Sequence, residues 1–326
     1  PLRSSAASDV YKRQIENFET SSGNKFQSFQ LTYQFFGKKL GAAPIILINH
    51  ALTGNSLVCG RNGWWNEIVG NDKAIDLNKY TVLCINIPGN GFNENNFDYS
   101  LELNLGDIAH LFIKVLEKLK ISKLYAIIGG SIGGCLSWEM TAIKNDIADK
   151  IIPVASDWKA NDWLLANTFL QDRILKNSSD PVGDARIHAM LFYRTPESLN
   201  QRFSRSKNIE KGIYNIESWL DHHALKLNQR FSLNSYKFLN NLLRSTNIAR
   251  DDLSLESKIK SSKSEIHIIS VDSDIFFLPD EDRITTSRLK KQDVKIKNHI
   301  IESIHGHDAF LIETKQISDI FIKILE

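Results

Sequence analysis

Gly129-Gly130-Ser131-Ile132-Gly133-Gly134 lies between the apolar run Leu124-Tyr125-Ala126-Ile127-Ile128 and the segment Cys135-Leu136-Ser137-Trp138-Glu139-Met140. The run reads as a buried strand and the segment as a helix. A serine at that junction, with glycine two residues to either side, matches the G-x-S-x-G spelling of a nucleophile elbow. The requirement is steric. The turn is tight and strained, so close neighbours must be small for the hydroxyl to stand above the sheet edge. The same spelling suits an ordinary glycine-rich turn from strand to helix, so its meaning depends on the rest of the chain.

Further along, Ile266 to Val271 reads as a buried strand, with Asp272-Ser273-Asp274 just beyond it. Ile301-Glu302-Ser303-Ile304 then leads into His305-Gly306-His307-Asp308-Ala309-Phe310. A serine, an aspartate and a histidine would each stand past a separate strand, in the chain order of an α/β-hydrolase triad. The histidine would take the hydroxyl proton, and the carboxylate would fix the imidazole tautomer. Spacing leaves Asp272 and Asp274 both open, and likewise His305 and His307, because residues two apart on extended chain point to one side. His50-Ala51-Leu52-Thr53-Gly54 follows the first strong central strand. In this fold that loop and the residue after the nucleophile supply oxyanion amides, which makes the N–H groups of Leu52 and Ile132 the candidates. His50 itself reads as a loop-fastening histidine.

A chain of 326 residues can bury one α/β core with an inserted subdomain. Hydrophobic content of 42% and charged content of 24% fit a globular protein, and a net charge of +2 gives no case for nucleic acid. The lysine-dense stretch from Glu256 to Glu265 is interleaved with serines and bracketed by acids, so it reads as a solvated linker. Cys59, Cys84 and Cys135 suggest free thiols in a reducing compartment, with no disulfide framework or metal pattern. Cys135 should pack beneath the elbow. No segment reads as a signal peptide or approaches the roughly 18 apolar residues of a membrane span, so the expectation is a cytoplasmic protein without membrane contact. The polar opening stretch to about Asn24 is expected to be loosely ordered.

The apolar segments Pro44 to Ile48 and Tyr80 to Ile85 suit central strands covered on both faces, and Gln30 to Phe35 suits an early strand. Asp107 to Leu119 carries Ile108, Leu111, Phe112, Val115, Leu116 and Leu119 at helical spacing. This rhythm predicts a mostly parallel sheet with helices on both faces. From about Lys159 to Asp252 it changes: Ala185 to Phe192, Asn215 to Leu225 and Ser235 to Leu243 suit helices, and no buried strand intervenes. The expected organisation is an α/β-hydrolase core over 25–158 and 253–326, interrupted by a helical cap over 159–252.

Beyond the fold, the chain resembles the homoserine O-acyltransferases, usually called homoserine O-acetyltransferases. The marks include His50-Ala51-Leu52-Thr53-Gly54, Gly63-Trp64-Trp65, the elbow, Asp184-Ala185-Arg186, Tyr193-Arg194 and Glu217-Ser218-Trp219-Leu220. Arg230 to Tyr236, Ser273-Asp274 and Gly306-His307-Asp308-Ala309-Phe310-Leu311 complete them in family order from about residue 31 to 311. The resemblance implies transfer of an acetyl group from acetyl-CoA to the hydroxyl of L-homoserine, on the route to methionine, through an acyl-enzyme on Ser131. It selects Asp274 as orienting carboxylate and His307 as base. It also implies that Arg186 and Tyr193 hold homoserine, as an arginine fork and a phenol can hold a carboxylate. Spacing alone suits a surface arginine equally well, and it favours a packed cap tyrosine at Tyr193. It further implies a homodimer through the caps and a co-substrate with no bound cofactor.

Some residues depart from the family. Pro88-Gly89-Asn90-Gly91-Phe92-Asn93 replaces a longer glycine- and serine-rich loop, and Ile132 stands where methionine is common. Ser156-Asp157-Trp158-Lys159 and the stretch around Ser206-Lys207-Asn208 also differ. These changes leave acetyl and succinyl donors, and serine as an acceptor, open. An esterase with the same triad is the rival reading, and a non-catalytic scaffold is a third.

Overall fold

Apolar strands that alternate between two buried faces build the core. In the computed structural model, which describes residues 9–92, 97–251 and 253–326, eight strands form one sheet. They are β1 (Val10–Glu19), β2 (Lys25–Gly37), β3 (Ile45–Asn49), β4 (Thr81–Ile85), β5 (Leu124–Gly130), β6 (Ala148–Val154), β7 (Glu265–Val271) and β8 (Ile296–Ile301). Their order is β1-β2-β4-β3-β5-β6-β7-β8. The strands from β4 to β8 in that order pair in parallel, while β1–β2 and β2–β4 are antiparallel. This is the α/β-hydrolase architecture, a mostly parallel central sheet with inserted helical segments.

The period of two explains why the central strands are apolar throughout. Leu47, Leu83, Ile85, Ile127 and Ile151 join the cluster on one face, and Ile46, Ile48, Val82, Cys84, Ile128 and Ile152 join the other. Helices α1 (Leu105–Lys118) and α2 (Ile132–Ile143) cover the first face. Near the chain's end α10 (Thr314–Leu325) covers the second with Ile317, Phe321 and Ile324. Asn104 caps α1, accepting from the Asp107 N–H while the Asp107 carboxylate accepts from the Asn104 N–H.

Between β6 and β7 lie α3 (Asp162–Asn177), α4 (Pro181–Tyr193), α5 (Pro196–Phe203), α6 (Asn215–Asn228) and α7 (Leu233–Arg244). The expected helices thus correspond to α4, α6 and α7, and Asp180 caps α4 by accepting from the Gly183 N–H. Asp252, the expected end of the cap, and Asn93, the end of the divergent loop, lie outside the described residues.

Two expectations need correction. The opening stretch is not loosely ordered over its described part: Val10–Glu19 is a full edge strand on β2. Polar residues face solvent along it, but Ile15 and Phe18 are buried, and that is enough apolar surface to dock it. The lysine-dense stretch is not wholly linker either. Leu255–Ile259 forms the short helix α8, pinned by buried Leu255 and Ile259, and Arg288 of α9 (Pro279–Lys290) donates two bonds to Glu256 at 2.7 and 2.9 Å.

Glu139 of α2 is fully buried, and burial raises its pKa against the opposing pull of Arg250. Arg250 donates to both of its carboxylate oxygens, and the Asn247 N–H adds a third bond at 3.3 Å. This pair ties the exit from the cap to the helix behind Ser131. Arg250→Met should strand the carboxylate and cost about 3–5 kcal/mol. Urea denaturation checks this, and an unchanged midpoint would contradict it.

Candidate active site

Ser131 follows directly on β5 and precedes α2, and its backbone lies at φ 57° and ψ −128°. The flanking glycines are forced by contact. A Cβ on Gly129 would lie 2.1 Å from the Gly133 oxygen, and one on Gly133 would lie 2.2 Å from the Asn49 oxygen. Helix, strand and the loop after β3 therefore approach too closely for any side chain at either position. Ile132 is the first residue of α2, where an N–H has no intrahelical acceptor. Neither its N–H nor that of Leu52 has a protein acceptor among the described residues. Cys135 is fully buried beneath the turn, and burial pushes its thiol up to about 12.

The structure brings Ser131, His307 and Asp274 together at the C-terminal edge of the sheet. His307 Nε2 lies 3.0 Å from Ser131 Oγ, and His307 Nδ1 lies 2.8 Å from Asp274 Oδ2. A carboxylate oxygen accepts, so Nδ1 carries the proton and the Nε2 lone pair faces the hydroxyl. The other Asp274 oxygen accepts from the Phe276 and Phe277 N–H groups at 2.7 and 3.0 Å. All three side chains are buried. The His307 ring sits among Tyr193, Phe276, Phe277 and Phe310, with centroids 5.2–5.6 Å away. Such a box excludes water and fixes the ring plane.

The competing acid and base stand elsewhere. Asp272 is exposed and accepts from the Ser303 N–H at 2.9 Å. His305 Nδ1 meets Arg194 at 3.0 Å and the Ser198 hydroxyl at 2.8 Å. It fastens the loop before His307 to the cap and does not face Ser131.

Arg186 and Tyr193 share α4, and the Arg186 guanidinium lies 5.7 Å from the centre of the Tyr193 ring. Burial raises the Tyr193 phenol to about 12, and the nearby Arg186 charge opposes that. Arg186 forms no salt bridge among the described residues, although its charge is felt at Tyr193, His223, Arg230 and Asp308. Asp308 is a site residue that sequence reasoning missed. Burial raises its carboxyl while Arg186, His307 and Arg194 pull it down. Its position next to His307 is visible in the sequence, but nothing in the spacing tells that its carboxyl feels the Arg186 charge. Arg230, just beyond α6, donates to the Thr53 carbonyl at 2.7 Å and so links cap to loop. Among the described residues no cluster of histidine, cysteine and acidic side chains could hold a metal ion, and no helix is long and apolar enough to cross a membrane.

The chain belongs to the α/β-hydrolase fold family, whose model matches residues 44–313. Within that fold family it is homoserine O-acetyltransferase-like in sequence. It is 29% identical to a homoserine O-acetyltransferase of Methanococcus vannielii, over 93% of this chain and 70% of that one. The crystal structure of a homoserine O-acetyltransferase from Bacillus anthracis superposes with a TM-score of 0.88 at 17% identity, covering 98% of each chain. That of esterase E22 superposes with a TM-score of 0.85, also at 17% identity, over 98% of this chain and all of its own. At such identities the two structures speak for the fold alone.

Behind Asp274, Asp282 receives a 2.7 Å bond from the Ser270 hydroxyl and is held well above the usual carboxylate range by burial. Burial likewise pushes Asp157, after β6, up to about 7. Folded Asp157 keeps a proton that the unfolded chain releases above about pH 4. Its contribution to stability is therefore greatest below pH 4 and is lost as pH rises through 7. Asp157→Asn should flatten that decline, gaining on the order of 3 kcal/mol over the parent at pH 8 and less at pH 5. Melting curves across this range test the sign. Parallel curves for the two proteins would contradict it.

Proposed function

We propose that this protein is an acyl-CoA-dependent O-acyltransferase that moves an acetyl group from acetyl-CoA to the side-chain hydroxyl of L-homoserine. The observation that carries this reading is the line from Ser131 through His307 to Asp274 beneath a cap whose Arg186 guanidinium forms no salt bridge among the described residues. A simple esterase has no need of that charge. An amino-acid acceptor does, since its carboxylate would otherwise be desolvated without a partner.

In the first half-reaction Ser131 Oγ attacks the thioester carbonyl while its proton passes to His307 Nε2. The charge that develops on the carbonyl oxygen meets the N–H groups of Leu52 and Ile132. Collapse breaks the carbon–sulfur bond, and the CoA thiolate leaves with the proton from His307. In the second half the homoserine hydroxyl gives its proton to His307 and attacks the acyl-serine, and Ser131 leaves with that proton. Arg186 and Tyr193 hold the acceptor's carboxylate. Asp308, whose carboxyl feels the charges of Arg186 and His307, suits the ammonium group of the same zwitterion. The aromatic box limits water that would otherwise hydrolyse the ester.

We take residues 159–252 as the cap, set between core segments 25–158 and 253–326, with β1 extending the sheet. Trp163, Phe169, Leu170 and Leu191 of α3 and α4 are 44–55% exposed, which supports a homodimer through the caps. Three free, buried thiols accord with a cytoplasmic setting.

Ser131→Ala should abolish the acyl adduct seen by intact-mass measurement after mixing with acetyl-CoA. Near-normal turnover by that variant would remove Ser131 from the chemistry. His307→Ala should lose at least about 10³-fold in kcat, whereas His305→Ala should stay within about tenfold. A larger loss in the His305 variant would reverse the assignment.

Arg186→Leu should acylate at a near-normal rate yet use homoserine poorly, since loss of a charge-assisted pair costs roughly 2–5 kcal/mol. Rapid-quench adduct formation with acetyl-CoA, followed by homoserine saturation, separates the two half-reactions. If this variant fails to acylate but saturates normally with homoserine, the clamp role is wrong.

A further inference from the structure

His50 follows β3, is almost fully buried, and has no part in the chemistry described so far. The Ile87 N–H points at His50 Nε2 from 2.9 Å, and an N–H can only donate. The proton of the neutral ring therefore sits on Nδ1. That nitrogen faces the Ala51 carbonyl at 2.8 Å, and the Gly54 N–H donates to the same oxygen at 2.8 Å. A trans peptide carries its C=O and N–H on opposite sides. Two donors on the Ala51 oxygen thus aim the other end of that unit, the Leu52 N–H, the opposite way.

We propose that His50 is a positioning residue for acylation, whose Nδ1–H orients the Ala51–Leu52 peptide so that the Leu52 N–H meets the developing oxyanion. This rests on the reading of Ser131 as nucleophile and Leu52 as donor. The Leu52 N–H has no acceptor among the described residues, so its direction is set by this contact and not by a bond of its own. A buried polar network holds the ring from behind. Asn90 Nδ2 lies 3.3 Å from His50 Nε2 and donates to Asn86 Oδ1 at 3.1 Å. Asn86 accepts from the Ser56 N–H at 2.7 Å and donates to Thr32 Oγ1 of β2 at 2.8 Å, and the Ser56 hydroxyl donates to Gln34 Oε1 at 2.7 Å. The elbow abuts the same residue, because a Cβ on Gly133 would lie 2.8 Å from the His50 carbonyl oxygen. Both proposed oxyanion donors are therefore placed from one rigid point. Burial also lowers His50 to about 4, which keeps the ring neutral and its tautomer fixed at neutral pH.

Two substitutions divide the ring's bonds between them. His50→Asn puts an amide N–H where Nδ1–H stands but cannot reach Ile87. His50→Gln puts an amide oxygen near Nε2 but leaves the Ala51 carbonyl without its side-chain donor. The measurement is the first-order rate constant of adduct formation with acetyl-CoA by rapid quench, which reads only folded, acylating molecules, together with KM for acetyl-CoA. H50Q should acylate about 10²-fold more slowly, as expected for a lost oxyanion donor, with KM within about threefold of the parent. H50N should lose less than about tenfold. An H50Q rate within threefold of the parent would overturn the proposal, as would equal losses in the two variants. A parent that forms no serine adduct at all would instead overturn the underlying reading of the site.

Discussion

The chemistry of this molecule depends on one strained residue held in place from several sides. Ser131 sits at φ 57°, a conformation that costs a non-glycine residue of order 1–3 kcal/mol and persists only where the surroundings over-determine it. Here they do. The Ser131 N–H donates to Val154 of β6 at 2.9 Å, and its carbonyl accepts from Gly134 and Cys135 at 2.8 and 3.1 Å. Neighbouring strand, following helix and the loop after β3 close around it at distances that only glycine allows. Sheet topology then does the rest, because the segments after β3, β5, β7 and β8 all emerge at one edge.

Electrostatics at that edge follow from burial. Asp274 is buried and accepts three hydrogen bonds, two from backbone N–H groups and one from His307. Asp157 and Asp282 lie behind it, and desolvation drives both toward their neutral forms. Neither therefore adds a full like charge beside the carboxylate that faces His307. Charge of the other sign is concentrated in the cap, where burial first, and then the charges of Arg186, Lys226 and Arg202, lower the His223 imidazole to about 4. An anionic acceptor group entering beneath the cap meets a field already in place.

Much of this was legible in the residues. All-apolar strands announce a doubly covered sheet, and the glycines around Ser131 announce the tight turn, because both signals arise from local sterics. The pairs Asp272/Asp274 and His305/His307 were not separable by spacing, since the difference lies in long-range partners. Asp272 is taken by Ser303, and His305 by Arg194 and Ser198. The edge strand at Val10–Glu19 was masked by its polar outer face, and α8 by its lysines. In each case two buried side chains outweigh the exposed majority. Asp308 and the task of His50 depend on orientation across loops far apart in sequence, which no local pattern encodes.

The central claim is that the acyl group passes to an amino acid and not to water. The direct test is mass spectrometry of products after incubating the protein with L-homoserine and a panel of acyl-CoAs. The account predicts O-acetyl-homoserine from acetyl-CoA, formed faster than free acetate. Acetate and free CoA at a rate indifferent to homoserine would contradict it and leave a thioesterase or esterase on the same triad.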